Sequence, residues 1–268
     1  SFEGKRVAVI GTGSSGIQAI PVIAREAKHL TVFQRQANFS IPARNMPMTE
    51  TYANSWKNGY AEKRKEMRYM PNGVLREVNE KSALEVSEEE RQTTYEARWE
   101  AGTGAFLGAF KDILTNQAAN DTMAEFVRNQ IRSIVKDPAT AETLLPTTHP
   151  IGTKRICIDE GYYQTFNRDN VELVDISESP IECLTETGPR VGERAFEFDT
   201  IVFATGFDAM TGTLFNVDIR GKNGLALKKK WEAGPRTYLG LMCKDFPNLF
   251  MITGPGSPSV LSNVIVAI

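Results

Sequence analysis

The stretch VAVIGTGSSGIQAI at residues 7–20 constrains this chain more than any other. Its approach, KRVAVI at 5–10, has the unbroken β-branched and apolar character of a strand buried on both faces. SGIQAIPVIAREA at 15–27 then carries apolar residues at helical spacing. Between them Gly11, Gly13 and Gly16 form the pattern GxGxxG. Gly11 permits the tight turn, Gly13 lets backbone approach a pyrophosphate, and Gly16 lets the helix pack on the strand. The first amides of such a helix face an anion. LTVFQ at 30–34 supplies a second strand, so the spacing predicts a dinucleotide-binding βαβ unit, with a plain structural turn as the bland alternative. Pro21 removes a helical hydrogen bond and predicts a kink or shift.

The end of the second strand selects the dinucleotide. NAD-binding units usually place an acid there for the ribose 2′-hydroxyl, whereas this chain reads Gln34-Arg35-Gln36. An acid would repel a 2′-phosphate and an arginine fork can grip it, so NADP is favoured over NAD. The competing reading of Arg35 is a solvated cation at a strand end.

Composition excludes several classes. A chain of 268 residues, 41% hydrophobic and 24% charged, can bury one or two ordinary cores. Its net charge of −2 leaves no electrostatic footprint for nucleic acid or an anionic membrane, and Lys228-Lys229-Lys230 reads as a solvated face. No apolar run reaches the length of a membrane span, so a cytoplasmic protein is expected. Cys157, Cys183 and Cys243 form no CxxC, which argues against a disulfide framework, a zinc site and a dithiol pair. Only His29 and His149 are present, both read as surface or structural, and no metal is expected. The start at Ser1 and the stop within LSNVIVAI read as the ends of an excised piece.

Residues 47–145 are rich in Glu, Lys, Arg and Ala and read as an all-helical insertion. Ser87 with Glu90, and Thr122 with Glu125, read as capping boxes. The second predicts a helix whose face carries Met123, Phe126, Val127, Ile131 and Ile134 and which Asp137-Pro138 ends. Strand patterns return in VELVDI (171–176), PIECLTE (180–186), FEFDTIVFATG (196–206), TYLGLM (237–242) and NLFMITG (248–254), with GPRVG at 188–192 read as a hairpin loop. The fold class expected is α/β, a Rossmann-like dinucleotide-binding domain interrupted by helices.

Longer strings carry a family resemblance. VIGTGSSGIQ with VFQRQ, SALEVSEEE, GTKRICIDEGYYQTFNRDNVELVD, ATGFDAMTG and GPRTYLGLMCKDFPNLFMITGPGSPSVLSN resemble the Baeyer–Villiger monooxygenases, class B flavin-containing enzymes, and most nearly the phenylacetone monooxygenase type. The resemblance covers nearly the whole chain. It implies an enzyme in which NADPH reduces bound FAD, O2 adds to give a C4a-peroxyflavin, and that peroxide attacks a ketone to yield an ester or lactone. It implies an NADP-binding domain in two parts, 1–46 and 146–207, around the insertion at 47–145, then a truncated C-terminal part of an FAD-binding domain at 208–268. Partners implied are a ketone, O2 and further N- and C-terminal segments of the same polypeptide.

Carried over residue by residue, the resemblance implies that Thr12, Gly13, Ser14, Ser15, Gly16 and Gln18 hold the NADP pyrophosphate and ribose. It places Arg35 and Lys154 on the 2′-phosphate and makes Arg155 the catalytic arginine beside flavin and nicotinamide. Ser259, Val260 and Leu261 resemble a loop lining the substrate pocket, and Val264 stands near the flavin where close relatives often have methionine. Gln36 stands where threonine is common, which puts the 2′-phosphate contact in question. The family's first glycine motif, its histidine fingerprint and the aspartate that partners the arginine are not in this segment, so the piece alone is expected to be inactive. Independently of the resemblance, an extended Lys154-Arg155 pair would send its cations to opposite sides, toward two different cavities. Two exposed surface cations are the bland alternative. Two further readings stay open: a related flavin monooxygenase that oxidises sulfur or nitrogen, and a non-catalytic NADP-binding module.

Overall fold

Strand β1 (Arg6–Ile10) pairs in parallel on both sides, with Ile10 opposite Phe33 in one neighbour and Phe203 in the other. The computed structural model describes residues 1–70, 73–75 and 78–257. The chain divides into two units, Ser1–Pro47 with Glu77–Gly206, and Met48–Arg76 with Phe207–Ile268. In the first unit the strands after β1 are β2 (His29–Gln34), β3 (Ser40–Pro42), β4 (Cys157–Asp159), β5 (Val171–Asp175), β6 (Ile181–Leu184), β7 (Pro189–Val191), β8 (Arg194–Ala195) and β9 (Thr200–Phe203).

The central sheet is parallel in the order β5-β2-β1-β9. Both of its faces are covered, which is why its inner strands read as continuous apolar runs. On one face Val7, Val9, Leu30 and Val32 pack with Ile17 and Ile20 of helix α1 (Ser14–Glu26), which continues through Pro21. On the other, Ala8, Ile10, Phe33 and Val174 meet Val191 and Phe196 of the antiparallel β6-β7-β8 sheet region. Phe33 meets Phe196 edge-on at 5.0 Å. The short parallel pair β3-β4 lies outside every strand pattern read from the sequence.

The residues expected as one helical insertion fall in both units. Helix α2 (Glu50–Met67) belongs to the second and buries none of its residues. Helices α3 (Glu88–Ala101), α4 (Gln117–Ile134) and α5 (Pro138–Thr143) belong to the first, where Tyr95, Trp99, Met123, Phe126 and Ile131 join the same core as β1 and β2. Ser87 caps α3 as expected, its hydroxyl accepting from the Glu90 amide at 3.1 Å.

Three local expectations are corrected. Helix α4 begins at Gln117 rather than at Thr122: Asn116 accepts from the amides of Ala118 and Ala119, while the Thr122 hydroxyl donates to the Ala119 carbonyl and meets Tyr95 Oη. GPRVG is not a loop, since Pro189–Val191 is a strand; the turns lie either side, one closed by Thr185 N–H to the Gly188 carbonyl at 2.8 Å, the other by Gly192 at φ +55°. TYLGLM is not a strand either. Leu239 and Gly240 both take positive φ and turn the chain back, so only Met242 enters the ribbon of Met242–Cys243 with Phe246–Phe250.

The second unit packs a small core of Leu227, Trp231, Cys243, Phe246 and Met251. Among the described residues no helix is long and apolar enough to cross a membrane.

Asn120, on the buried face of α4, ties two segments together: its amide donates to the Ile113 and Ile151 carbonyls at 2.9 and 2.8 Å and accepts from the Ile151 amide at 3.0 Å. Asn120→Ala strands those backbone groups and is expected to cost about 2 to 4 kcal/mol in urea unfolding. Ser133→Ala, on the exposed side of the same helix, is expected to change stability by less than about 0.5 kcal/mol.

Candidate functional site

The carboxyl ends of all four parallel strands open on one cleft of about 320 Å³. Ile10 ends β1 and Gly11, Thr12 and Gly13 follow it, Phe33 lies in β2 with Arg35 and Gln36 just beyond it, Ile176 follows β5, and Ala204, Thr205 and Gly206 follow β9. This is where open parallel sheets hold ligands. Among the described residues two cations, Arg35 and Lys154, line the cleft, and no acid does.

The three glycines have separate jobs. Gly11 sits at φ +109°, and a Cβ there would lie 2.4 Å from the Ala204 carbonyl oxygen. A Cβ at Gly16 would lie 2.1 Å from the Gly11 carbonyl oxygen, so α1 can rest on the turn only without a side chain at 16. At Gly13 a Cβ would meet nothing within 4 Å; that side faces open space. Gly13 is also the N-cap of α1 and supplies no side-chain bond, and the first turn contains no acid. The helix therefore presents uncapped amides and the positive end of its dipole.

Gln34 turns away from the cleft, donating to the Thr143 carbonyl at 2.7 Å to hold α5. Arg35 is exposed and forms no hydrogen bond or ion pair with the described residues. Gln36 is fixed at both ends: its carbonyl accepts from Thr12 Oγ1 at 3.0 Å, and its Oε1 accepts from Lys154 Nζ at 2.6 Å. Gln36 Nε2 donates to Thr148 Oγ1, which lies 3.2 Å from His149 Nδ1. Burial, with the nearby Lys154 charge second, pushes the His149 pKa down and favours the neutral ring.

The remaining candidates lie at the rim or beyond it. Ser14 Oγ contacts Cys157 Sγ at 3.3 Å and Gln18 Nε2 donates to the Ile158 carbonyl at 3.2 Å, so both tie α1 to β4. Burial pushes the Cys157 thiol up, away from the thiolate. Ser15 is exposed on the first turn. Arg155 is exposed, makes no side-chain hydrogen bond or ion pair among the described residues, and does not line the cleft that holds Lys154. Ser259, Val260, Leu261 and Val264 lie outside the described residues.

The structure thus brings Gly11, Thr12, Gly13, Arg35, Gln36 and Lys154 together and leaves Arg155 apart from them. Sequence reasoning missed Asn38, Ile176 and Ala204–Gly206 as walls. The signal for the last was present, because an ATG following a strand that pairs with β1 must end beside the glycine turn.

No protein-family model matches the chain. Cyclohexanone 1,2-monooxygenase of Acinetobacter is 45% identical over 96% of this chain and 48% of its own length. Among solved structures, oxidised steroid monooxygenase bound to NADP is 55% identical with a TM-score of 0.91, covering 99% of this chain and 51% of that one. OTEMO in complex with FAD and NADP is 43% identical with a TM-score of 0.95, covering 100% and 50%. The chain spans about half the length of the proteins it matches.

The glycine geometry separates fold from site. Gly11→Ala is expected to cost more than about 2 kcal/mol, from strain at positive φ and overlap with Ala204. Gly13→Ala is expected to cost under about 1 kcal/mol, since alanine is only a poorer N-cap there. Urea unfolding of the two variants checks both, and equal losses would contradict these roles.

Proposed function

Because this chain is a homologue of the Baeyer–Villiger monooxygenases, we propose that it is the NADP-binding central portion of an NADPH- and FAD-dependent enzyme that inserts one oxygen atom from O2 into a ketone. The observation that carries this is the meeting of Arg35 and Lys154 in a cleft with no acid among its described residues, beside an uncapped helix N-terminus. The residues fit NADP. Gly13 leaves room for a pyrophosphate against the first amides of α1, and the two cations suit a dianionic 2′-phosphate. Thr12, Ser14, Ser15, Gly16 and Gln18 complete the pyrophosphate and ribose side of this reading, Gly11 shaping the turn beneath them.

Arg155 is assigned the catalytic role. Among the described residues its guanidinium has no hydrogen-bond or ion-pair partner, so its donors are available to negative charge that develops on a reacting oxygen. FAD, when bound, supplies the activation of O2. Val264 near the flavin, and Ser259, Val260 and Leu261 in the substrate pocket, belong to the same proposal. So do a domain division into 1–46 with 146–207, 47–145 and 208–268, the participation of further segments of the same polypeptide, and a cytoplasmic location, with which three free cysteines are compatible.

The test uses the full polypeptide that carries this chain. Arg35→Ala and Lys154→Ala are each expected to weaken NADPH about tenfold or more and leave NADH within about twofold. Arg155→Ala is expected to leave NADPH binding within about threefold while lowering ketone oxygenation several hundredfold. Equal losses for NADPH and NADH would overturn the cofactor assignment. Oxidation of a thioether or amine with no ester from a ketone would transfer the reading to the sulfur- and nitrogen-oxidising relatives.

A further inference from the structure

The residue that stands where family resemblance leads one to expect threonine is the middle of a hydrogen-bonded strut. Lys154 Nζ, Gln36, Thr148 and His149 follow one another in hydrogen-bond contact, although Gln36 and Thr148 are 112 positions apart. We propose that Thr148 and His149 are positioning residues for Lys154, acting through the Gln36 amide, and that they thereby set discrimination between coenzymes with and without a 2′-phosphate. This rests on the reading of the cleft as the NADP site.

The argument is one of donor and acceptor parity. An ammonium has only protons to give, so the amide edge that faces Lys154 must be Oε1. Its other edge, Nε2, then needs an acceptor, and Thr148 Oγ1 is that acceptor. The Thr148 oxygen also lies 3.2 Å from His149 Nδ1, so the ring buttresses the acceptor that fixes the amide. Burial first, and the Lys154 charge second, push the His149 pKa down and favour the neutral ring. Phe39 packs edge-on against the imidazole at 5.5 Å and keeps it in place.

Without Thr148 the amide is free to rotate and present Nε2 to the ammonium, donor against donor, so that Lys154 is no longer held at the cleft wall. The strut leaves two of the three ammonium protons for phosphate oxygens. Thr12 supports it from the other side by donating to the Gln36 carbonyl, which joins the strut to the glycine turn.

The test is the ratio of NADH to NADPH dissociation constants in the full polypeptide. Thr148→Val keeps the shape and removes the hydroxyl; it is expected to weaken NADPH about three- to tenfold and leave NADH unchanged. Thr148→Ser restores the hydroxyl and is expected to restore the ratio. His149→Phe, which keeps a ring against Phe39, is expected to shift the ratio the same way by a smaller factor. If Lys154→Ala lowers the ratio while Thr148→Val leaves it unchanged, or if Thr148→Ser fails to restore it, this inference is overturned and the NADP reading stands. If Lys154→Ala itself leaves the ratio unchanged, the NADP reading fails and this inference with it.

Discussion

The first unit is organised by how closely Gly11 passes Ala204. Parallel pairing of β1 with β9 brings the Ala204 carbonyl to a point that no Cβ at residue 11 could share, and α1 can leave the turn only because residue 16 also lacks a side chain. Two absent methyl groups thus fix where the helix starts, and the helix start fixes where its uncapped amides point. The cleft is the space left over at the strand ends. Its polarity follows from the same closeness, since first-turn amides that cannot be capped by a glycine side chain stay available to an anion.

Electrostatics then complete what geometry begins. Arg35 arrives at the end of β2 and Lys154 from the loop before β4, and no described residue of the cleft wall is a carboxylate. An exposed ion pair contributes little in water, but neither cation is tied up by a carboxylate among the described residues, so under the proposed reading both are available to one dianion. Lys154 is the more constrained of the two, held through Gln36, while Arg35 forms no hydrogen bond or ion pair with the described residues. Asn120 reaches the same loop from behind, anchoring Ile151 three residues before Lys154. The anchored core and the cleft wall therefore share one segment, Ile151–Lys154.

Much of this was legible in the linear chain. The βαβ unit is readable because a sheet covered on both faces needs unbroken apolar strands, as in KRVAVI and LTVFQ. Arg35 is readable because its place follows from the length of β2. Helix α4 shows where reading by pattern stops: Thr122 carries the capping-box pattern, yet its hydroxyl donates to the Ala119 carbonyl within the helix and meets Tyr95 Oη of α3, while Asn116 makes the cap. GPRVG failed for a related reason, since a proline at the first position of a strand loses no ladder bond it needs. The Gln36–Thr148 contact and the β3-β4 pair leave no periodic trace at all, because single long-range hydrogen bonds and three-residue strands impose no repeat.

The central claim is that Arg35 and Lys154 read a 2′-phosphate beside the Gly11–Gly13 turn. It is tested most directly with adenosine fragments, which report on that phosphate without the nicotinamide or the flavin. Calorimetric titration is expected to show adenosine 2′,5′-bisphosphate binding at least about tenfold more tightly than adenosine 5′-monophosphate, with the difference shrinking as salt is raised. Equal affinities for the two fragments at low salt would contradict the account.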